Sequence, residues 1–388
     1  MNGLKLSNVE KGISMKATLT RFLGTLAIGW GLTAAVWAQQ PLPGPTPLPP
    51  PTQAGPPDQA PPPGITISPG GCTPAPIVSG GCLDSCLPQC GFGGTWVVGG
   101  GVYYMAPFYN NNRAFTTSST TFAATGTATT TGLTNFNNKL QIAPLAFVGY
   151  SWDNGVGIRF RWFQFREDNS AGATLDGTTS VSDALGNVMT PGPAAKGTTV
   201  TASAHLYLSD YDLEATYTYA CGKWLVIGAA GARYAQINQG YSANATDPAG
   251  VAIFNGGSNH NFNGFGPTVA LEGHRQICDL GFGVYASARA SILFGSGHLS
   301  NGFSVTALDD PTSVSNAGSQ VSVIPVGELE MGGEWTTCWR RFRFFAQVGV
   351  VGQIWWGTGN ASEPTINSSG SPSNLGFIGG VARAGITF

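Results

Sequence analysis

The sequence predicts an all-β fold: a transmembrane, antiparallel, up-and-down β-barrel of about ten strands, preceded by a disordered N-terminal arm. Three observations predict it. First, only 10% of the 388 residues are charged, against roughly 25% in ordinary soluble domains. A soluble surface built from so little charge would be poorly solvated, whereas a barrel hides its outer face in lipid. Second, the final stretch, residues 373–388, alternates with period two. Ile378, Gly380, Ala382, Ala384, Ile386 and Phe388 share one face, and Gly379, Val381, Arg383, Gly385 and Thr387 share the other. Third, beyond residue 38 no apolar run is long enough for a membrane helix. A chain that spans a bilayer without helices must close its backbone hydrogen bonds in a barrel.

Residues 1–38 read as a signal peptide. Lys11, Lys16 and Arg21 precede the uncharged run Phe22–Ala38, and Val36-Trp37-Ala38 ends it on a small residue. Either Met1 or Met15 serves as the start. A single spanning helix competes with this reading, because about 17 residues is the lower limit for a span; the polar Gln39-Gln40 that follow favour cleavage. Residues 39–71 form a Pro-rich linker, which builds no core and favours extended polyproline conformation. Residues 72–93 form a Cys-rich segment assigned to the periplasm, and residues 94–388 the barrel.

Ten strands follow from alternation. The first, Thr95–Pro107, puts Trp96, Val98, Gly100, Val102 and Tyr104 on one face. The second is Lys139–Trp152. The third, Gly155–Glu167, sets Val156, Ile158, Phe160 and Trp162 outward against Arg159 and Arg161. The fourth, Val200–Tyr219, sets Tyr211, Leu213, Ala215 and Tyr217 against Asp210, Asp212 and Glu214. The fifth, Lys223–Asn238, sets Trp224, Val226, Ala230, Ala232 and Tyr234 against Arg233. The sixth, His260–Arg275, carries Glu272. The seventh, Leu280–Phe294, sets Phe282, Val284, Ala286, Ala288, Ala290 and Ile292 against Arg289. The eighth, Gln320–Trp335, carries Glu328, Glu330 and Glu334. The ninth is Arg341–Trp356, with Phe342, Phe344, Ala346, Val348, Val350 and Ile354 on one face, and the tenth ends the chain.

The connections alternate. Short turns fall near residues 153–155, 220–222, 276–279 and 336–340. Long, Thr/Ser/Asn/Gly-rich loops span 108–138, 168–199, 239–259, 295–319 and 357–372. Short turns on one rim and long loops on the other is the outer-membrane barrel layout. Trp152, Trp162, Trp224, Trp335, Trp355 and Trp356 are candidates for interfacial girdles.

Cys72, Cys82, Cys86 and Cys90 cluster in the N-terminal segment, and Cys221, Cys278 and Cys338 fall in short turns. All seven therefore lie on one side, and a secreted context makes disulfides the leading reading. A metal site competes with it, on spacing that is unusual for structural zinc. Seven is odd, so at least one thiol is free or paired with another molecule. The pairing is open: the segment is stapled to the turns, or to another chain or the cell envelope.

The stretches G-Y-S-W-D-N-G-V-G-I-R-F-R-W-F-Q-F at 149–165, Y-D-L-E-A-T-Y at 211–217 and W-V-V-G-G-G-V-Y-Y-M-A-P near the start of the barrel are similar to the Legionella-type pore-forming outer-membrane proteins, also found in planctomycete-like bacteria. The likeness spans Thr95 to Phe388. It implies a porin-type barrel in the bacterial outer membrane, in contact with its lipid. The Pro-rich arm and the cysteine cluster are not part of that pattern. The terminal aromatic Phe388 resembles the sorting signal of outer-membrane barrels, which implies the barrel-assembly machinery as a partner.

The inward charges sort by strand. Arg159, Arg161, Arg233, Arg289 and Arg383 neighbour Asp210, Asp212, Glu214, Glu272, Glu328 and Glu330. Unpaired charges in a low-dielectric interior are costly, so these are expected to pair. They either fill and rigidify a narrow lumen or form a charged constriction for ions or small polar solutes. The matching functions are a porin-like channel and a structural barrel crosslinked through its arm. A net charge of −2 gives no electrostatic case for nucleic acid. No motif implies a cofactor or resident metal. Enzymatic chemistry would need His205 with Asp210 or Asp212, since no nucleophile elbow occurs, and a non-enzyme is expected.

Overall fold

Alternation along each strand leaves one row of side chains to each face, and the ladder then has to close on itself. The computed structural model describes residues 94–388 apart from 124–125, 191, 278–279, 307–310 and 364–372. The predicted signal peptide, Pro-rich linker and Cys-rich segment lie outside the described residues. In chain order the strands are β1 (Thr95–Tyr109), β2 (Arg113–Ala123), β3 (Gly126–Asn135), β4 (Gln141–Ser151), β5 (Val156–Thr174), β6 (Thr179–Asp183), β7 (Thr199–Cys221), β8 (Trp224–Thr246), β9 (Ala252–Gln276), β10 (Phe282–Val305), β11 (Thr312–Trp339), β12 (Phe342–Trp355) and β13 (Leu375–Thr387). There is no helix among the described residues.

Ten strands form a closed antiparallel barrel in the order β1-β13-β12-β11-β10-β9-β8-β7-β5-β4, and β4 returns to β1. Closure rests on β1, which pairs with the last strand (Val102 opposite Ala382) and with β4 (Val102 opposite Pro144). Every predicted strand is present, with the predicted face outward. Ile378 on β13, Leu213 on β7 and Val348 on β12 are exposed, while their neighbours Phe377, Asp212 and Gln347 are buried.

Two of the predicted long loops are strand instead. Most of 239–259 belongs to β8 and β9, and most of 295–319 to β10 and β11, so the true connections shrink to 247–251 and 306–311. These segments read as loops because they are rich in Asn, Gly, Ser and Thr. They lie where the wall rises past its apolar band, so the ladder needs no apolar face to hold it. Above Val326, β11 has only β10 as a ladder partner among the described residues. Two other long loops carry structure of their own: β3, β2 and β6 form a separate three-stranded sheet.

The short-turn rim is built by Asn154-Gly155, Gly222-Lys223, the short link between β9 and β10, and Arg340-Arg341. Gly222 supplies the positive φ (59°) that its two-residue link requires, whereas Arg340 adopts φ 57° with a full side chain. Trp96, Trp152, Trp224 and Trp335 stand exposed toward this rim. A second aromatic row crosses neighbouring strands through Tyr211, Tyr234, Phe265 and Phe294. Trp355 leaves the predicted girdle. It sits at an inward position of β12 and is fully buried in the bore.

Val269, between the two aromatic rows, is outward and exposed. Val269→Arg is expected to cost about 2–4 kcal/mol of unfolding free energy in lipid vesicles. Val314→Arg, on the wall above the band, is expected to change it by less than about 0.5 kcal/mol. Denaturant titrations of both variants measure the contrast.

Candidate functional site

The inward rows of β5, β7, β8, β9, β10, β11 and β13 deliver charge to one level of the bore, because register places opposite signs on adjoining strands. Arg159 faces Glu214 and Arg161 faces Asp212 across β5–β7; Arg233 faces Asp212 across β7–β8; Arg289 faces Glu328 across β10–β11. The guanidinium groups also reach across the tube. Arg159 binds Glu214 at 2.8 Å and Glu272 at 2.6 Å. Arg161 contacts Glu328 at 3.2 Å and Asp212 at 3.8 Å. Arg233, fully buried, binds Asp212 at 2.6 Å and Glu328 at 2.5 Å and approaches Asp210 at 3.6 Å. Arg289 pairs with Glu214 and lies 3.2 Å from Asp212. Arg383 closes the set on Glu330 at 3.0 Å.

The eleven inward charges named from the sequence thus join one lattice. Arg159, Arg161, Arg233, Arg289 and Arg383 set five positive charges against the six of Asp210, Asp212, Glu214, Glu272, Glu328 and Glu330. Asp210 is the most loosely held, since neither of its carboxylate oxygens accepts a hydrogen bond. Tyr103, an inward residue of β1, ties two halves together: its hydroxyl accepts from Arg161 Nη2 at 2.8 Å and donates to Glu330 at 3.3 Å. Gln347 does the same between Arg383 and Glu334. Sequence reasoning passed over both because it followed formal charge; the parity of each residue on its strand was the available signal.

Toward the far rim the bore turns apolar. Tyr103, Met105, Phe163, Phe165, Leu208 and Ile237 belong to a buried cluster that also takes in Trp355 and Phe377. Beyond it the three-stranded sheet packs against the inner faces of the tall strands, through Phe115, Val181, Met189, Tyr241 and Phe254. Tyr241 pins this cap: its hydroxyl donates to Ala114 O at 2.7 Å and accepts from Ala184 N at 3.0 Å. Within the cap, burial pushes the Asp183 carboxyl above the usual range, against two hydrogen bonds from Asn187. Residues 358–362, just after β12, are buried beside the cap, with Gln239 Nε2 donating to Gly359 O at 3.2 Å and accepting at Oε1 from Ala361 N at 3.1 Å.

On the short-turn side the bore widens into a cavity of about 330 Å³, lined among others by Phe147, Arg159, Lys223, Glu272, Arg343 and Phe345. Cys221 and Cys338 stand near this rim, and neither is a free thiol. Cys72, Cys82, Cys86, Cys90 and Cys278 lie outside the described residues. His205 is exposed on the outer face of β7, while Asp210 and Asp212 are buried on the inner face. An odd spacing forces that separation, so the His–Asp pair considered from sequence is not assembled.

A family model described as the Legionella pneumophila major outer membrane protein precursor matches residues 93–383. The chain belongs to this family. It is an outer-membrane barrel, as the resemblance implied. No curated protein matches it. Among solved structures it is similar to the outer membrane protease OmpT from Escherichia coli (8% identity, TM-score 0.38, covering 76% of this chain and 96% of that one). It is also similar to the Pseudomonas putida toluene transporter TodX (10% identity, TM-score 0.22, covering 77% and 90%). Likeness at these TM-scores carries no argument about activity.

The lattice makes its members unequal. Asp212→Asn strips a partner from Arg233, Arg289 and Arg161 and is expected to cost about 3–5 kcal/mol. Asp210→Asn removes the surplus, unbonded carboxylate and is expected to stay within about 1 kcal/mol of the parent. Breaking the exposed Arg166–Asp168 pair should cost at most about 1 kcal/mol. Equilibrium unfolding of the three variants in one lipid gives the ranking.

Proposed function

We propose that this family member is a structural barrel of the outer membrane whose bore is shut at rest. The observation that carries this reading is the stack of three fillings: ion lattice, apolar cluster and capping sheet. The central residue of the lattice, Arg233, has no exposed surface. Ten strands enclose little more than the roughly eight-strand bore that side chains fill. An ion crossing this tube has to break several buried charge pairs and then pass a packed apolar layer. In this reading the rim cysteines fasten the barrel to its own arm or to the envelope; Cys221 and Cys338 stand at the short-turn rim and neither is without a partner.

The second reading is a porin-like channel for ions or small polar solutes, and the short-turn cavity favours it, because its lining reaches into the lattice as far as Arg161, Arg289 and Glu328. Planar-bilayer recording separates the two. The full chain is expected to give no discrete conductance steps at neutral pH. Steps whose ion selectivity changes on Glu328→Gln or Arg289→Gln would replace the structural reading by the channel.

A further inference from the structure

The short-turn cavity has a wall that the sealed bore does not explain. Phe147 on β4 and Phe345 on β12 belong to strands separated by β13 and β1, yet their rings stack 6.1 Å apart with 28° between their planes. They meet because each leans over a glycine of the strand between: Phe147 over Gly99, and Phe345 over Gly385. A Cβ at Gly99 would lie 2.3 Å from the Phe147 ring, and one at Gly385 would lie 2.4 Å from that of Phe345. The two glycines therefore let four strands present one continuous aromatic surface to the cavity.

Arg343 lies two residues from Phe345 on the same inner row, nearer the rim, and lines the same cavity. The other inward arginines each hold a carboxylate. Arg343 has no carboxylate oxygen within 4.0 Å among the described residues. Glu334, on the adjoining strand, is engaged by His274 at 2.9 Å and by Gln347. Glu334 attracts Arg343 from beyond ion-pair distance, but a half-buried guanidinium with no carboxylate in contact is costly to leave unpaired, and its planar fork suits a carboxylate. Lys223 lines the cavity as well and adds to its positive character.

We propose that this vestibule binds small organic carboxylates, with the carboxylate on Arg343 and a flat apolar body on the Phe147–Phe345 surface. Position 343 is separated from position 345 by roughly 7 Å along the strand, which matches a ligand whose charge sits at one edge of a flat ring system. The site is independent of whether the bore conducts, since it lies on the solvent side of the lattice.

The test is calorimetric titration of the full chain, in lipid nanodiscs, with 2-naphthoate and with the neutral 2-naphthalenemethanol. Naphthoate is expected to bind at least tenfold more tightly than the alcohol. Arg343→Gln is expected to weaken naphthoate at least tenfold and leave the alcohol within twofold. Arg343→Lys should fall between parent and Arg343→Gln, because an ammonium keeps the charge and loses the fork. Heat-shifted migration on electrophoresis confirms that each variant is folded. Equal binding of acid and alcohol, or Arg343→Gln and Arg343→Lys both binding naphthoate within twofold of the parent, would overturn the assignment.

Discussion

A strand in hydrocarbon has no water to satisfy its N–H and C=O groups, so every one of them must find a neighbouring strand. The rest of this molecule depends on that requirement. It is met where β1 pairs on one side with the last strand and on the other with β4, closing the ring. Closure fixes which row of each strand looks out and which looks in. Once the inward rows are fixed, their charges have nowhere to go but toward one another, and the short radius of a ten-stranded tube brings them within ion-pair distance.

The lattice follows from that geometry. Each lattice arginine reaches a carboxylate beyond its adjacent strands: Arg159 on β5 reaches Glu272 on β9, and Arg233 on β8 reaches Glu328 on β11. Such cross-tube pairs act as struts, and they resist the flattening that ladder hydrogen bonds alone permit. Burial makes each pair costly to assemble and costlier to break singly, so the set tends to be kept or lost as a unit. The apolar cluster and the capping sheet fill the tube beyond it by ordinary packing.

Much of this was legible in the sequence. Alternation of the kind seen at Val156–Trp162 or Leu213–Tyr217 identifies both a strand and its outward face, and the eleven inward charges followed from parity alone. Pairing across the tube was not legible, because it depends on the curvature of the sheet and on register between distant strands. The upper halves of β8 to β11 were missed for a different reason. Above the apolar band neither face is selected for greasiness, so Asn, Gly and Ser carry the ladder without leaving a periodic trace. Trp355 misled because tryptophan suits an interface and a core equally well. Tyr103 and Gln347 were overlooked because neutral side chains give no sign of the polar bridges they make.

The unequal height of the wall has a mechanical consequence. From Ser313 to Ile324, β11 has β10 on one side and, among the described residues, no ladder partner on the other. That free margin stays hydrated or it is penalised group by group, as any bare amide is in oil. The margin thus works like a waterline painted on one flank of a hull. A downward plunge, or a lean toward that flank, would drag bare amides into the acyl chains, while the opposite lean meets no such penalty. The depth and attitude at which the protein floats are therefore set partly by one uneven strand, in addition to the belt of rings around it.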